Sequence, residues 1–306
     1  MKIISWNCRG TNDVRSLVVP YVVWLKEYFA PMFIFLSETK ASLSNVESLV
    51  RSCKPTFVCG IDSIGSKGGL AVLGWCPYNV FCLFSSQNLV LCKIVVDSTN
   101  EMEILLVYGA PNVEVRLAVW GKMLDLILAF PTCLVLGDFN QLDLFSDKLG
   151  GSSSIKGWEA FIQWKLASNL SDVPFSGPPF TWSNKREDTD LILERLDRAY
   201  MSTDWFLKFP DSRVTNQPIL ISDHAAIVFE TSHLGLKKHR PYQLEAWCLL
   251  FSDIASIVEE VWNLVIVGSP MFTLSRKLGL ARNRIRNWCL KNKKSRGLTS
   301  NNSLTM

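Results

Sequence analysis

Thr132-Cys133-Leu134-Val135-Leu136-Gly137-Asp138-Phe139-Asn140 is the stretch around which the chain can be read. An apolar run of this length, bounded by Pro131 and Gly137, has the form of a buried strand, and it leaves Asp138 and Asn140 at the C-terminal end pointing the same way. Alone, the signal is weak, because Gly-Asp-x-Asn also makes an ordinary turn in which Gly and Asn accept positive φ and Asp caps its own backbone. Recurrence changes the odds. Lys2-Ile3-Ile4-Ser5-Trp6 ends at Asn7, Met32-Phe33-Ile34-Phe35-Leu36 at Ser37-Glu38, Ile104-Leu105-Leu106-Val107 at Tyr108, and Ile219-Leu220-Ile221-Ser222 at Asp223-His224. Strand ends gathered at one edge of a layered α/β fold form a crevice, the default place for a ligand or active site.

Composition bounds the reading. The 306 residues are 48% hydrophobic, with 17 Phe and 11 Trp, enough for a sizeable core and too apolar for a disordered chain. Nine Cys, none in a Cys-x-x-Cys pair, read as buried free thiols of a reducing compartment, not as disulfides or a zinc site. No charge occurs from Gly68 to Cys92, yet Pro77, Tyr78-Asn79 and Ser85-Ser86-Gln87-Asn88 interrupt that run with the rhythm of short strands, which excludes a membrane helix. Met1-Lys2-Ile3 opens directly into a strand and leaves no room for a signal peptide, so a soluble intracellular protein is expected. The net charge of +4 hides an asymmetry: residues 261–306 carry nine Lys or Arg and no acid, whereas residues 1–260 hold 23 basic against 28 acidic residues. An acidic body that must approach a polyanion needs local cation, from a bound metal at the site or a basic segment at a distance.

Periodicity predicts a helix from Asn12 or Asp13 to about Phe29, and a second from a Ser44/Glu47 capping box to Cys53. Strands follow at 55–60, 69–75, 80–85, 88–96 and 101–108. A helix over 114–130 should bury Leu117, Trp120, Leu124, Ile127 and Leu128, and another spans 157–168. Strands at 180–183 and 196–200, a short helix starting at Thr203-Asp204 and ended by Pro210, and a strand at 226–230 complete the body. The count is too high for one open sheet, so the expected fold class is α/β, a four-layer α/β/β/α sandwich of two packed mixed sheets with helices outside. The body, residues 1–236, is followed by a helical basic extension, 237–306, with helices over 244–267 and 274–294.

Taken together, Trp6-Asn7, Ser37-Glu38-Thr39, Tyr108 before Pro111-Asn112, Gly137-Asp138-Phe139-Asn140, Arg195-Leu196-Asp197-Arg198 and Ser222-Asp223-His224 resemble the endonuclease/exonuclease/phosphatase superfamily. A finer match is to the endonuclease domain of plant LINE-type non-LTR retrotransposons, through Asn7-Cys8-Arg9-Gly10, Ser37-Glu38-Thr39-Lys40, Lys148-Leu149-Gly150-Gly151, Phe180-Thr181-Trp182-Ser183-Asn184 and Glu194-Arg195-Leu196-Asp197-Arg198. Beyond about residue 235 the likeness is looser, where Arg240-Pro241 and the Trp247 region look like the connector to a reverse transcriptase, itself missing. Two positions depart from the pattern: Tyr108 to Asn112 holds one residue more than usual, so no phosphate contact is carried over to Asn112, and Gln141 stands where a carboxylate is common.

The resemblance implies hydrolysis of a phosphodiester in duplex DNA with Mg²⁺ or Mn²⁺ and no small-molecule cofactor, and no membrane partner. Such a reaction needs a neutraliser for the dianionic transition state, an activated in-line water and help for the leaving oxygen. Glu38, Asn7 and Asp223 are the expected metal residues, Glu38 as the hard oxygen ligand that suits Mg²⁺. Asp138 would orient or deprotonate the water, Asn140 and Tyr108 would donate to phosphate oxygens, and His224, held by Asp197, would be a proton donor or phosphate clamp. Whether Asp138 or His224 is the base stays open. Arg9, Lys40, Trp182, Asn184, Lys185 and Arg186 are the expected DNA contacts. The basic extension reads as a nucleic-acid anchor, a nuclear signal or a docking helix. A phosphatase acting on a phosphoinositide or nucleotide, and an inactive nucleic-acid-binding remnant, are the rival functions.

Overall fold

Alternation along the strands sorts the apolar residues onto three separate faces. A computed structural model describes residues 1–11, 17–75, 79–97, 100–130, 132–231, 251–266 and 270–295, in two compact units, Met1–Leu234 and Gly235–Met306. The first unit begins β1 (Lys2–Asn7), α1 (Val18–Phe29), β2 (Phe33–Ser37), α2 (Leu43–Leu49), β3 (Phe57–Ile61), β4 (Leu70–Gly74). It continues β5 (Asn79–Ser85), β6 (Leu89–Asp97), β7 (Asn100–Tyr108), α3 (Val113–Ala129), β8 (Cys133–Asp138), β9 (Lys148–Leu149), α4 (Trp158–Ser168). It closes with β10 (Ser171–Asp172), β11 (Phe175–Ser176), β12 (Trp182–Ser183), β13 (Leu193–Glu194), β14 (Asp197–Met201), α5 (Thr203–Lys208), β15 (Arg213–Asn216) and β16 (Ile227–Glu230).

Two mixed sheets result, ordered β11-β15-β16-β1-β2-β4-β3 and β10-β14-β8-β7-β6-β5, with a small β12-β13-β9 sheet beside them. Their inner faces pack against each other through Ile3, Phe33, Phe35, Leu106, Leu134, Leu136, Ala199 and Phe229, all at most 1% exposed. Helices α1 and α2 cover the outer face of the first sheet, where Val22, Leu25 and Val46 meet Ile4, Ile34 and Leu36. Helices α3 and α4 cover the second, where Trp120, Met123 and Phe161 meet Leu105, Val107 and Val135. The four-layer α/β/β/α sandwich expected from the sequence is the observed architecture.

Several local expectations change. The second helix is capped by Ser42, whose Oγ accepts from Asn45 N, and not by a Ser44/Glu47 box. Helix α3 is capped by Asn112 and buries Val119, Trp120, Met123 and Ile127, whereas Leu117 and Leu128 are 61% and 67% exposed. This helix is apolar nearly all round, so periodicity alone could not choose the face that meets α4. Residues 219–222 form a loop, not a strand; the strand there is β15, which the sequence reading missed. The caps expected at Asn12 or Asp13, the body's end near Leu236 and the 240–247 segment lie outside the described residues.

In the second unit, α6 (Ser252–Trp262) and α7 (Pro270–Ser295) pack through Ile254 and Ile285, with Phe251, Ile257 and Trp288 around them. Ile285 and Trp288 of α7 are thus engaged within the unit. No described helix is long and apolar enough to cross a membrane.

On the outer side of β14, Arg198 is fully buried among carboxylates, ion-paired to Asp147, to Asp172 at 2.9 Å and to Asp143 at 3.7 Å. Arg195 adds Asp172 at 3.3 Å and lies 3.7 Å over the Phe175 ring. Removing Arg198 would strand several buried charges. Arg198→Ala is therefore expected to lower unfolding free energy by about 3–5 kcal/mol, measured by urea denaturation; a loss below about 1 kcal/mol would show the cluster to be solvated.

Candidate active site

Four inner-face strands each end on a polar residue. On β1 the inward positions run Ile3, Ser5, Asn7; on β7, Ile104, Leu106, Tyr108; on β8, Leu134, Leu136, Asp138; on β14, Met201, Ala199, Asp197. A period of two carries each strand from the apolar core to its polar tip. Register brings the tips together. Tyr108 is the parallel partner of Asp138 across β7 and β8, and Asp197 its antiparallel partner across β14 and β8. In the other sheet Asn7 pairs with Ser37, so Glu38 leaves β2 beside it.

Asn7 joins the two sheets. Its Nδ2 donates to Glu38 Oε1 at 3.0 Å and to Asp138 Oδ2 at 2.9 Å, and lies 3.5 Å from His224 Nε2. Its Oδ1 accepts from Arg9 N. Its amide nitrogen thus spaces the two carboxylates while its oxygen accepts from the backbone.

Glu38 stands in the left-handed region at φ 53°, a conformation that costs a non-glycine residue and here turns its carboxylate into the crevice. Tyr108 donates its hydroxyl to Glu38 Oε1 at 3.0 Å. Burial first, and then the Glu38 charge, push the Tyr108 phenol well above its ordinary value, so it stays a neutral donor. Asp138 is fully buried, with Oδ1 accepting from Asn140 N at 2.8 Å. Asn140, itself at φ 49°, donates from Nδ2 to Gly109 O at 2.7 Å. Gly137 permits this geometry, since a Cβ there would meet Val107 O at 2.0 Å.

His224 Nδ1 is 2.9 Å from Asp197 Oδ2, and its Nε2 is 3.8 Å from Asp138 Oδ2. Burial alone would lower the imidazole pKa, but the Asp197 and Asp138 charges and the Asp197 hydrogen bond outweigh it and lift it to about 9. Burial raises Asp138 to about 6 against the opposing pull of His224. Near neutrality the pair therefore holds a cationic imidazole beside an anionic carboxylate that is a stronger base than usual.

Glu38, Tyr108, Asn140 and His224 line one cleft of about 870 Å³, with Arg9, Lys40, Trp182 and Asp223 on its walls. Asp138 and Asp197 sit behind this lining, each at most 1% exposed. Asp223 Oδ2 accepts from Arg9 Nη1 at 2.5 Å and from Trp182 Nε1 at 2.8 Å. Of the expected nucleic-acid contacts, three stand elsewhere. Lys185 faces a neighbouring cavity of about 500 Å³, Arg186 is exposed outside the cleft, and Asn184 braces its own loop by donating to Asp190 O and accepting from Arg186 N and Ile192 N.

Two donor sets could hold a cation. Asp138, Asp197 and His224 offer atoms within 4.8 Å of one another, but His224 and Asp197 are already bonded to each other. Glu38 and Asp223 place carboxylates on the cleft wall, the donor chemistry of a hard divalent ion, and are ion-paired there to Lys40 at 3.5 Å and to Arg9 at 2.5 Å. Sequence reasoning missed Lys67, Gln87, Asn88 and Arg116, which also line the cleft. It also left Thr181 without a role: its Oγ1 accepts from both Leu196 N and Asp197 N at 3.0 Å, and so places Asp197.

Neither a family model nor a curated sequence matches this chain. Solved structures do. The chain is similar to a 3′-5′ exonuclease, NExo, from Neisseria meningitidis, with 18% identity, 76% of this chain and 100% of that one covered, and a TM-score of 0.59. It is similar to the AP endonuclease LMAP from Leishmania major (15% identity, 76% and 87% covered, TM-score 0.60). It also matches the endonuclease domain of TRAS1, a telomere-specific non-LTR retrotransposon (14% identity, 74% and 96% covered, TM-score 0.54).

Thr181→Val should leave two buried N–H groups unpaired and cost about 2–5 kcal/mol in urea denaturation; an unchanged midpoint would mean that another acceptor serves them. By NMR, the His224 ring of the metal-free protein should titrate near 9, and Asp197→Asn should bring that value down because an attracting charge is lost. No change in the variant would contradict the pairing.

Proposed function

We infer that this chain, which has the fold of the endonuclease/exonuclease/phosphatase superfamily, is a metal-dependent phosphodiesterase, a DNA endonuclease of retrotransposon origin that nicks one strand of duplex DNA. The observation that carries this reading is the meeting of Glu38 and His224 on the walls of one cleft, with Asn7 spacing Glu38 from Asp138. A carboxylate that can hold a cation thus shares one cleft with a cationic imidazole and with Arg9, Lys40, Lys67 and Arg116, the complement of a phosphodiester passing to a dianionic transition state.

Glu38, with Asp223, would hold the divalent ion, Mg²⁺ or Mn²⁺, whose contribution is to neutralise phosphoryl charge and assist the leaving oxygen. The chain's own residues do the rest. Tyr108 and Asn7 fix the Glu38 carboxylate. His224, kept protonated by Asp197 at neutral pH, binds a phosphoryl oxygen, and Asn140 holds the Asp138 carboxylate through its backbone N–H and its Nδ2. Asp138, raised toward neutrality, takes the proton of the attacking water. Arg9, Lys40 and Trp182 receive the flanking nucleotides, two as charges and one as a stacking face. Helix α7, in a stretch of sequence free of acids, carries Arg276, Lys277, Arg282 and Arg284 and would give the second unit its own basic surface for a polyanion; on this reading the protein works in the nucleus.

On supercoiled plasmid with Mg²⁺ the protein is expected to produce open circles, EDTA to abolish this, and Glu38→Ala to slow it by at least about a hundredfold. Intact plasmid with inorganic phosphate released from a monoester would select the phosphatase instead, and retarded but uncut DNA an inactive remnant.

A further inference from the structure

Arg116 on α3 is a partly buried guanidinium held by neutral partners alone. Its Nε donates to Ala110 O at 2.9 Å, its Nη2 to Pro111 O at 3.0 Å and its Nη1 to Gln141 Oε1 at 2.7 Å. No carboxylate ion-pairs with it among the described residues. A guanidinium has five N–H donors, so three are spent and one remains on each Nη, on a group that keeps its full charge. That is an unusual investment. Burial lowers its pKa against the opposing pull of the Asp138 and Glu194 charges, neither of which ion-pairs with it, and an incoming anion in direct contact would compensate that burial.

The position of Arg116 says where that anion lies. It lines the main cleft, and also a second cavity of about 300 Å³ bordered by Lys148, Ser152, Ser154 and Lys156. The two spaces share Arg116, Asn140, Glu194 and Leu196 and therefore adjoin each other. The loop that walls the second cavity contains Lys148-Leu149-Gly150-Gly151, the one motif that the chemistry of the cleft leaves unused. It is pinned in place: Gly150 sits at φ 78° where a Cβ would meet Leu191 O at 2.1 Å, and Lys148 is bound to Glu194 at 2.9 Å. Lys156 is exposed and has no ion-pair partner among the described residues. Gln141 meets Arg116 with a neutral oxygen at 2.7 Å, where a carboxylate would form an ion pair.

We propose that Arg116, with Lys156 at the rim, is a phosphate-binding subsite that holds a backbone phosphate of the nucleic-acid strand next to the one bound between Glu38 and His224, and that the amide of Gln141 sets its strength. The proposal rests on the phosphodiesterase reading for its ligand, but its test does not need turnover. A guanidinium with one N–H left on each terminal nitrogen matches the two oxygens of a phosphodiester.

The experiment measures the affinity of the full chain for a fluorescein-labelled duplex oligonucleotide by anisotropy across a salt series, alongside plasmid nicking. Gln141→Glu is expected to weaken binding by roughly tenfold, about what one charged hydrogen bond contributes, and to reduce the slope of log affinity against log salt by about 0.9, one phosphate contact. Arg116→Lys keeps the charge and loses the fork, so it should weaken binding while leaving the slope unchanged. A purely structural role for Arg116 would not separate the two variants in this way. If wild type nicks plasmid and Gln141→Glu keeps the wild-type slope, the subsite is overturned and the nuclease reading survives. If wild type binds without nicking and the slope falls in Gln141→Glu, the nuclease reading fails and the subsite stands. Absence of any binding by the wild type overturns both.

Discussion

The side-chain amide of Asn7 carries the structure's central constraint. It stands on a middle strand of one sheet and donates to a carboxylate at the tip of that sheet and to one at the tip of the other, at 3.0 and 2.9 Å. Asn7 has no exposed surface. A buried amide between two acids is satisfied only when both sheets are packed in one relative register, so the geometry of the site and the packing of the inter-sheet core fix each other. The acids gain from this too: Glu38 and Asp138 share a donor in place of bulk water, and their separation is set by a rigid group.

Around that amide the charges are divided in depth. Asp138 and Asp197 lie behind the wall, where burial makes their field on His224 strong, while Glu38 and Asp223 face the cleft, where a cation can reach them. Low dielectric behind and an open cleft in front separate the four acids into a pair that holds a proton on the imidazole and a pair that, in the proposed reading, would offer oxygens to a metal. The outer side of β14 mirrors this with the opposite logic, since Arg198 there is neutralised fully by Asp143, Asp147 and Asp172 and has no surface to offer. Asp197 and Arg198, neighbours in sequence, thus serve site and scaffold on opposite faces of one strand.

The strands that build the site were legible because each is an apolar run stopped by a polar residue, and burial on both faces leaves that pattern in sequence. What stayed hidden depended on partners distant in the chain. Residues 219–222 look like a strand by hydrophobicity, but Leu220 is 61% exposed, and the pairing position beside β16 is taken by β15, Arg213-Val214-Thr215-Asn216, whose single inward Val gives little periodic signal. The buried face of α3 could not be chosen from a helix with apolar residues on every side; α4 chooses it. Thr181 was visible only as part of a motif, since its function is to accept two backbone N–H groups from residues fifteen and sixteen positions away. Arg116 has no sequence signal at all, because its meaning lies in the neutral acceptors that hold it.

The central claim is that one divalent ion sits at Glu38, in front of the buried Asp138–Asp197–His224 group and not within it. Anomalous scattering from crystals of the protein soaked in Mn²⁺ tests this most directly. The account requires a peak within coordination distance of the Glu38 carboxylate, with His224 still hydrogen-bonded to Asp197. A peak bound by Asp138, Asp197 and the imidazole, with Glu38 unliganded, would contradict it.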